Sequence, residues 1–390
     1  MGGHPCPSAA RRRTGPQARR GTGAVEPWDP ATPGWARRAP VADHTLGGGL
    51  IEDMHPLLLG PNQPPERFYL GGEKIARFRG LEGAEPRTPE DWIASVTTLF
   101  GEETLGLTRL PDREWLATAI ARDPLAWLGP EHAGRFGDDP LLLVKLLDAG
   151  QRLPVHSHPG GDFARRHLGR PHGKAEAWLI LEGGPIHLGF RDDLDRPTLD
   201  QWVRDQDVDS MLAALNEVQV SPGDTVFVPA GVPHAIGAGV FIIELQEPED
   251  LSVLMEWTGF TADGATLGHL GLGFDLALSS VDRGATDTEP LIRRQAMAAP
   301  GSMLVPMADP FFRAEFVRVG IETGEGTGGG TVLEPGYSVL VVTDGDGTLA
   351  GSGQEAIPLR AGATVLVPHA AGSLTLTGRM DVVRCLPPAA

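Results

Sequence analysis

The run Gly223-Asp-Thr-Val-Phe-Val-Pro229 recurs 139 residues later as Gly362-Ala-Thr-Val-Leu-Val-Pro368. A short apolar segment held between a glycine and a proline reads as a β-strand with its turns, and its repetition reads as one structural unit used twice. Each copy stands among similar runs. Residues 141–147, 152–157, 174–181, 186–190, 225–228, 240–245 and 252–257 are β-type segments separated by Gly and Pro, and a second series covers about 301–390. Such spacing predicts antiparallel barrels or sandwiches. The fold class expected is therefore mainly β, two related barrels with α-helical insertions.

Between and before the barrels the pattern changes. Pro89-Glu90-Asp91-Trp92 offers helix-start chemistry, 112–122 and 129–135 are short amphipathic segments, and 198–215 is a helical interlude with Trp202 and Leu212. A glycine-rich loop and a helix near 289–298 link the two series. Residues 326–331, rich in Gly, lack the lysine and setting of a phosphate loop and read as a turn. The domains expected are an extension over 1–50, a metal-binding domain over 51–264, a linker over 265–300 and a second, metal-less domain over 301–390. The extension holds Arg11-Arg12-Arg13 and Arg19-Arg20 without any apolar periodicity, so it reads as disordered, and Met54 opens a segment that reads like an ordinary amino terminus.

Composition limits the partners. The 390 residues carry a formal charge of −18 although the first fifty hold seven arginines against three acids, so the remainder is strongly acidic and nucleic acid is not an expected ligand. No apolar stretch is long enough to cross a bilayer, which removes a membrane role from the expectations. Cys6 and Cys385 sit in opposite tails with no local partner, which fits a reducing, cytoplasmic setting. The large apolar residues Trp178, Ile180, Trp202, Phe227 and Trp257 are expected in the core.

The chemistry lies in the first series. In an extended strand alternate side chains share a face, so His156 and His158 can grip one ion together. Glu176 and His234 have the types that complete such a set, and imidazole suits zinc, iron or nickel. The second series has no His-x-His, has no Glu near 341–343, and places Ser373 where His234 would fall. His369 alone cannot hold an ion.

These residues resemble the cupin superfamily. Gly150, His156, His158, Glu176 and Gly183 fit its first motif, and Gly223, Pro229, Gly231 and His234 fit its second. The long gap before Glu176, the run Gly173-Lys174-Ala175-Glu176-Ala177-Trp178 and the run Val228-Pro229-Ala230-Gly231-Val232-Pro233-His234 are similar to the type I mannose-6-phosphate isomerases. That likeness runs from Pro56 to a carboxy-terminal barrel starting near Pro310. It implies one zinc ion and interconversion of an aldose phosphate and a ketose phosphate, with mannose 6-phosphate and fructose 6-phosphate as the leading pair. It also implies metal ligands at a Gln-x-His pair, a Glu and a later His. Here His156 takes the Gln position. An active-site arginine soon after the acid matched by Asp250 is implied too, but residues 250–257 contain none.

Moving a carbonyl between neighbouring carbons requires a proton-transfer group and an electrophile for the developing enediolate. Lys174 lies two residues before Glu176, on the same strand face, and is one of only three lysines, with Lys74 and Lys145. A nearby cation and burial would lower its pKa toward the exchange range; a surface lysine at a strand end is the other reading. Glu244, in an apolar strand, is the second candidate, and it also reads as a structural acid bonded to a loop. Asp250 matches a further acid of the family. Arg166 and Arg170, in a locally basic stretch, are the candidates for contacting a phosphate, and surface salt bridging explains the same arginines. Alternatives are an isomerase of another, unphosphorylated sugar, or a cupin oxygenase or sugar-binding protein with Fe2+ on three histidines.

Overall fold

The computed structural model of the protein describes residues 54–320, 330–353 and 355–390. The extension expected over 1–50, Cys6 within it, and residues 326–329 of the glycine-rich turn lie outside these. In chain order the strands are β1 (Leu57–Leu59), β2 (Glu90–Ile93), β3 (Leu143–Asp148), β4 (His156–Ser157), β5 (Glu176–Glu182), β6 (Gly184–Phe190), β7 (Leu215–Val220), β8 (Thr225–Val228), β9 (His234–Ile236), β10 (Phe241–Gln246) and β11 (Val253–Leu254). After β12 (Ile292–Arg293) and β13 (Gly301–Ser302) come β14 (Arg313–Val319), β15 (Thr331–Leu333), β16 (Ser338–Gly351), β17 (Ile357–Arg360), β18 (Thr364–Val367) and β19 (Leu374–Leu386). The fold is mainly β, with helices inserted between strands.

The first barrel is built from two antiparallel sheets. One runs β12-β8-β5-β10-β3-β2 and the other β11-β4-β9-β6-β7. Strands β3, β8 and β10 are buried along their whole length, so they read in sequence as continuous apolar runs and not as alternating ones. Trp178, Ile180 and Phe227 lie in this core, while Trp202 and Trp257 pack partly buried against a second cluster around Val155 and Met255. Burying a side chain such as Ile180 stabilises by about 2 kcal/mol, before the entropy cost of ordering it.

Two sequence expectations are corrected here. Glu90–Ile93 is a buried strand paired with β3 and not a helix start. Its acids mimic helix N-terminal chemistry but are sheet residues with partners: Arg79 Nε donates to Asp91 Oδ2 at 2.8 Å, and Tyr69 and Trp92 donate to Glu90 at 2.7 and 2.8 Å. The helix expected near 289–298 is a single 3₁₀ turn, Glu289–Leu291, followed by β12, because Ile292 and Arg293 pair with Val226 and Thr225 at the sheet edge. The interlude at 198–215 forms two helices, Arg196–Asp205 and Val208–Ala214, capped by Asp195 and Asp207.

The repeat noted in the sequence is a structural repeat in register. Thr225–Val228 and Thr364–Val367 are both strands; Val228 pairs with Glu176, and Val367 pairs with Ser338. Ser338 of β16 therefore takes the place of Glu176, and not residues 341–343 as the sequence suggested. Two residues further on, Trp178 pairs with Glu244, and Leu340 pairs with Arg384. Across the next strand Glu244 pairs with Lys145, and Arg384 pairs with Glu315. The C-terminal strands hydrogen-bond into one eight-stranded sheet, which β1 joins through β18.

Candidate metal centre

Each sheet of the first barrel delivers part of the site. From the five-stranded sheet come His156 on β4 and its cross-strand partner His234 on β9, with His158 just beyond β4. From the six-stranded sheet come Glu176, Glu244, Lys145 and Glu90, on β5, β10, β3 and β2. Two glycines make this approach possible. Gly231 holds φ at +90°, and its N–H donates to the His158 carbonyl at 2.6 Å, which ties the turn before His234 to the His-x-His strand. At Gly183 a Cβ would collide with the Val220 carbonyl oxygen, so only Gly fits between β5 and β7.

The three imidazoles are aimed by their backbones. Nδ1 of His156, His158 and His234 sits 2.8, 2.7 and 2.9 Å from the carbonyl oxygens of Pro154, Leu251 and Val232. A carbonyl can only accept, so each neutral ring carries its proton on Nδ1 and offers an Nε2 lone pair. These ligand atoms lie within 4.8 Å of one another. His158 and His234 Nε2 are buried with no hydrogen-bond partner, and Glu176 Oε1 and Oε2 approach them to 2.9 and 3.7 Å. Lone pairs converging on a buried carboxylate repel unless a cation lies among them. The donor set fits a divalent ion, with nitrogen and carboxylate ligands fixed by an outer layer of carbonyl partners. Burial, and then the neighbouring imidazoles, keep the rings neutral: His234 is pushed down to about 3, and His156 also falls well below its ordinary value.

Beside this group lies a small cavity lined among others by His156, His234, Lys174, Glu176, Glu244 and Asp250. A wider groove between 58–61 and 358–363 is lined by none of the candidate residues, so chemistry and not size assigns the smaller one. Lys174 points where its spacing predicts, with Nζ 3.1 Å from Glu176 Oε1. Burial alone would lower its pKa, but Glu176, Glu244 and Asp250 outweigh burial and raise it, so Lys174 is a held ammonium. Glu244 is pushed up to about 7 by burial and by Glu176, and its Oε1, 3.4 Å from Lys145 Nζ, has no hydrogen bond.

Asp250 lines the cavity, and its Oδ2 accepts from the Phe100 N–H at 3.1 Å. Arg166 and Arg170 do not line it. Arg166 is exposed, and Arg170 is half-exposed with Nη1 3.8 Å from Glu249. The cavity instead contains Arg67, Tyr69, Glu90 and Lys145, which the sequence reading missed. Lys145 carried one available signal, an isolated charge in the apolar run 141–147. Arg67 and Glu90 had none, since both are placed by long-range pairing.

No protein-family model matches the chain. Among curated proteins, the mannose-6-phosphate isomerase of Streptococcus mutans is 36% identical over 134 residues, which are 33% of this chain and 41% of that protein. Mannose-6-phosphate isomerase ManA of Bacillus subtilis is 26% identical over 63% of this chain and 75% of its own length. These matches make the chain similar in sequence to the mannose-6-phosphate isomerases, at a divergent level. GmuF of Bacillus subtilis matches at 31% identity over half of this chain and 59% of itself, so the chain spans about half the length of these first two relatives, the Streptococcus protein and GmuF. In three dimensions the likeness of fold covers more. The crystal structure of mannose 6-phosphate isomerase from Bacillus subtilis superposes with a TM-score of 0.63 at 18% identity, over 85% of this chain and 99% of that one. A mutant of phosphomannose isomerase from Salmonella typhimurium gives 0.63 at 16%, over 86% and 99%. At such identity the superpositions speak for the cupin fold.

Proposed function

We propose that the protein is a metal-dependent aldose–ketose isomerase that interconverts mannose 6-phosphate and fructose 6-phosphate. The observation that carries this reading is the convergence of three imidazole lone pairs and Glu176 beside a cavity that also holds Lys174 and Glu244. His156, His158, Glu176 and His234 would hold one zinc ion, which when bound supplies a Lewis acid for the sugar oxygens. Proton movement falls to the chain's own groups. Glu244, with a pKa near neutrality, is suited to take a proton from one carbon and return it to the next. Lys174, kept protonated by Glu176, is suited to steady the charge that develops on the enediolate oxygen. Asp250 completes the substrate-facing wall. The division of labour we propose puts metal and turnover on residues 51–264 together with β12 from the 265–300 linker, and gives 301–390, which β1 joins, a supporting role.

The test is conversion of mannose 6-phosphate to fructose 6-phosphate by zinc-loaded protein, with and without chelation. Zinc-dependent conversion that is lost in Glu244→Gln supports the roles given. Iron in the purified protein together with oxygen uptake would favour a cupin oxygenase instead.

A further inference from the structure

We infer that Arg67 is the group that recognises the anionic end of the sugar ligand. The inference rests on the sugar-isomerase reading for the kind of ligand, but the geometry is independent of it. Arg67 lines the same cavity as His156, His234 and Glu176. Its Nε donates to Glu90 Oε1 at 2.9 Å, while Nη2 stands 4.0 Å from Asp250 Oδ1, beyond hydrogen-bond reach. Among the described residues, neither Nη atom makes a hydrogen bond. A guanidinium carries five donors, and donors in a side chain only 13% exposed are normally satisfied, so this fork presents an open edge.

Glu90 orients this arginine without exhausting it. The carboxylate is fixed by Tyr69 Oη–H at 2.7 Å and Trp92 Nε1–H at 2.8 Å, so the ion pair acts as a clamp on the Nε side. The other two cations of the cavity are engaged. Lys174 sits 3.1 Å from Glu176, and Lys145 lies 3.4 Å from Glu244, 3.7 Å from Glu90 and 4.6 Å over the Trp92 ring. Three cations face four acids around the cavity, so a divalent ion on the histidines would turn the balance positive and favour an oxyanion. A phosphate or carboxylate offers two oxygens to a guanidinium edge, which an ammonium cannot match bidentately. Residues 250–257 supply no arginine, so the cation beside Asp250 comes from the far end of the chain instead.

The experiment measures calorimetric binding of mannose 6-phosphate, mannuronate and mannose to zinc-loaded full-length protein and its Arg67→Gln variant. The expected result is a loss of roughly 10- to 100-fold for at least one anionic ligand with less than about 3-fold change for mannose. Which of the two anions shows the loss separates a phosphate from a carboxylate. An equal change for all three ligands, or no change, overturns the inference, as does wild-type protein that binds neither anion better than mannose. If Arg67→Gln fails to fold, Arg67→Lys keeps the charge beside Glu90 but loses the fork. It should still weaken the anion selectively, and an unselective effect again overturns the inference. Absence of turnover with selective Arg67-dependent binding intact would sink the isomerase reading alone.

Discussion

The two barrels share a strand register, and they differ in the side chains that register brings together. At matched positions the first barrel holds Glu176, Glu244 and Lys145, and the second holds Ser338, Arg384 and Glu315. In the second, Arg384 is consumed by its surroundings: Nε donates to Ser338 Oγ at 3.2 Å, Nη2 donates to the Glu334 carbonyl at 2.7 Å, and Nη1 lies 3.7 Å from Glu315. Where the first barrel has His234, the repeat places Ser373 in the second. One barrel leaves buried lone pairs and an open guanidinium edge, at a cost in stability. The other satisfies its buried charge. A fold can therefore keep its pairing while the same sites change from chemistry to packing.

The largest effect that could break this contrast comes from His234→Ala. It should remove the bound metal and lower turnover of mannose 6-phosphate by at least about a thousandfold, as read by metal analysis and a coupled assay, whereas Ser373→Ala should change neither. Next comes Arg384→Ala, which strands polar partners in the second barrel. It should cost about 2–4 kcal/mol in denaturant unfolding and leave the metal content of the folded protein at one ion per chain. Metal loss in that variant would mean that the second barrel is not merely structural.

Glu90 gives the pH dependence. Burial alone would raise its pKa, but Arg67 and Lys145 outweigh burial and hold it below the ordinary 4.5. A carboxyl with a depressed folded pKa contributes stability that is complete above pH 4.5 and is lost as the pH falls below it. Glu90→Gln should therefore lower stability at neutral pH by about 1–3 kcal/mol, and its thermal midpoint should fall less steeply below pH 4.5 than that of the wild type. An unchanged acid limb would contradict the clamp. The smallest effect is expected from Arg166→Ala and Arg170→Ala, outside the cavity, with less than about a twofold change in KM for the phosphosugar.

Much of this contrast was legible in the sequence, and the exceptions share a cause. The glycine-to-proline repeat announced two related strands, and the candidates His156, His158 and His234, which the structure brings together, stood out with Glu176 because ligand types at strand spacing are a local signal. Glu90 and Asp91 misled, since acids ahead of a tryptophan have the composition of a helix first turn, and only their ion pairs with Arg67 and Arg79 show a buried strand. Lys174 lies beside Glu176 as its spacing predicts, while its ionisation also depends on Glu244 and Asp250, distant in the chain. Arg166 and Arg170 attracted attention through local charge density, while Arg67 stood unmarked next to Phe68 and Tyr69. Spacing reveals what neighbours on one strand can do together; it does not reveal which loop arrives from elsewhere.

The central claim is that the first barrel alone carries a metal-dependent isomerase. Its most direct test is conversion of mannose 6-phosphate by metal-stripped full-length protein titrated with zinc. The account predicts fructose 6-phosphate formation that is absent without metal and saturates at one zinc per chain. Conversion that is independent of metal, or no ketose formed from phosphorylated or free hexoses by the zinc-saturated protein, would contradict it.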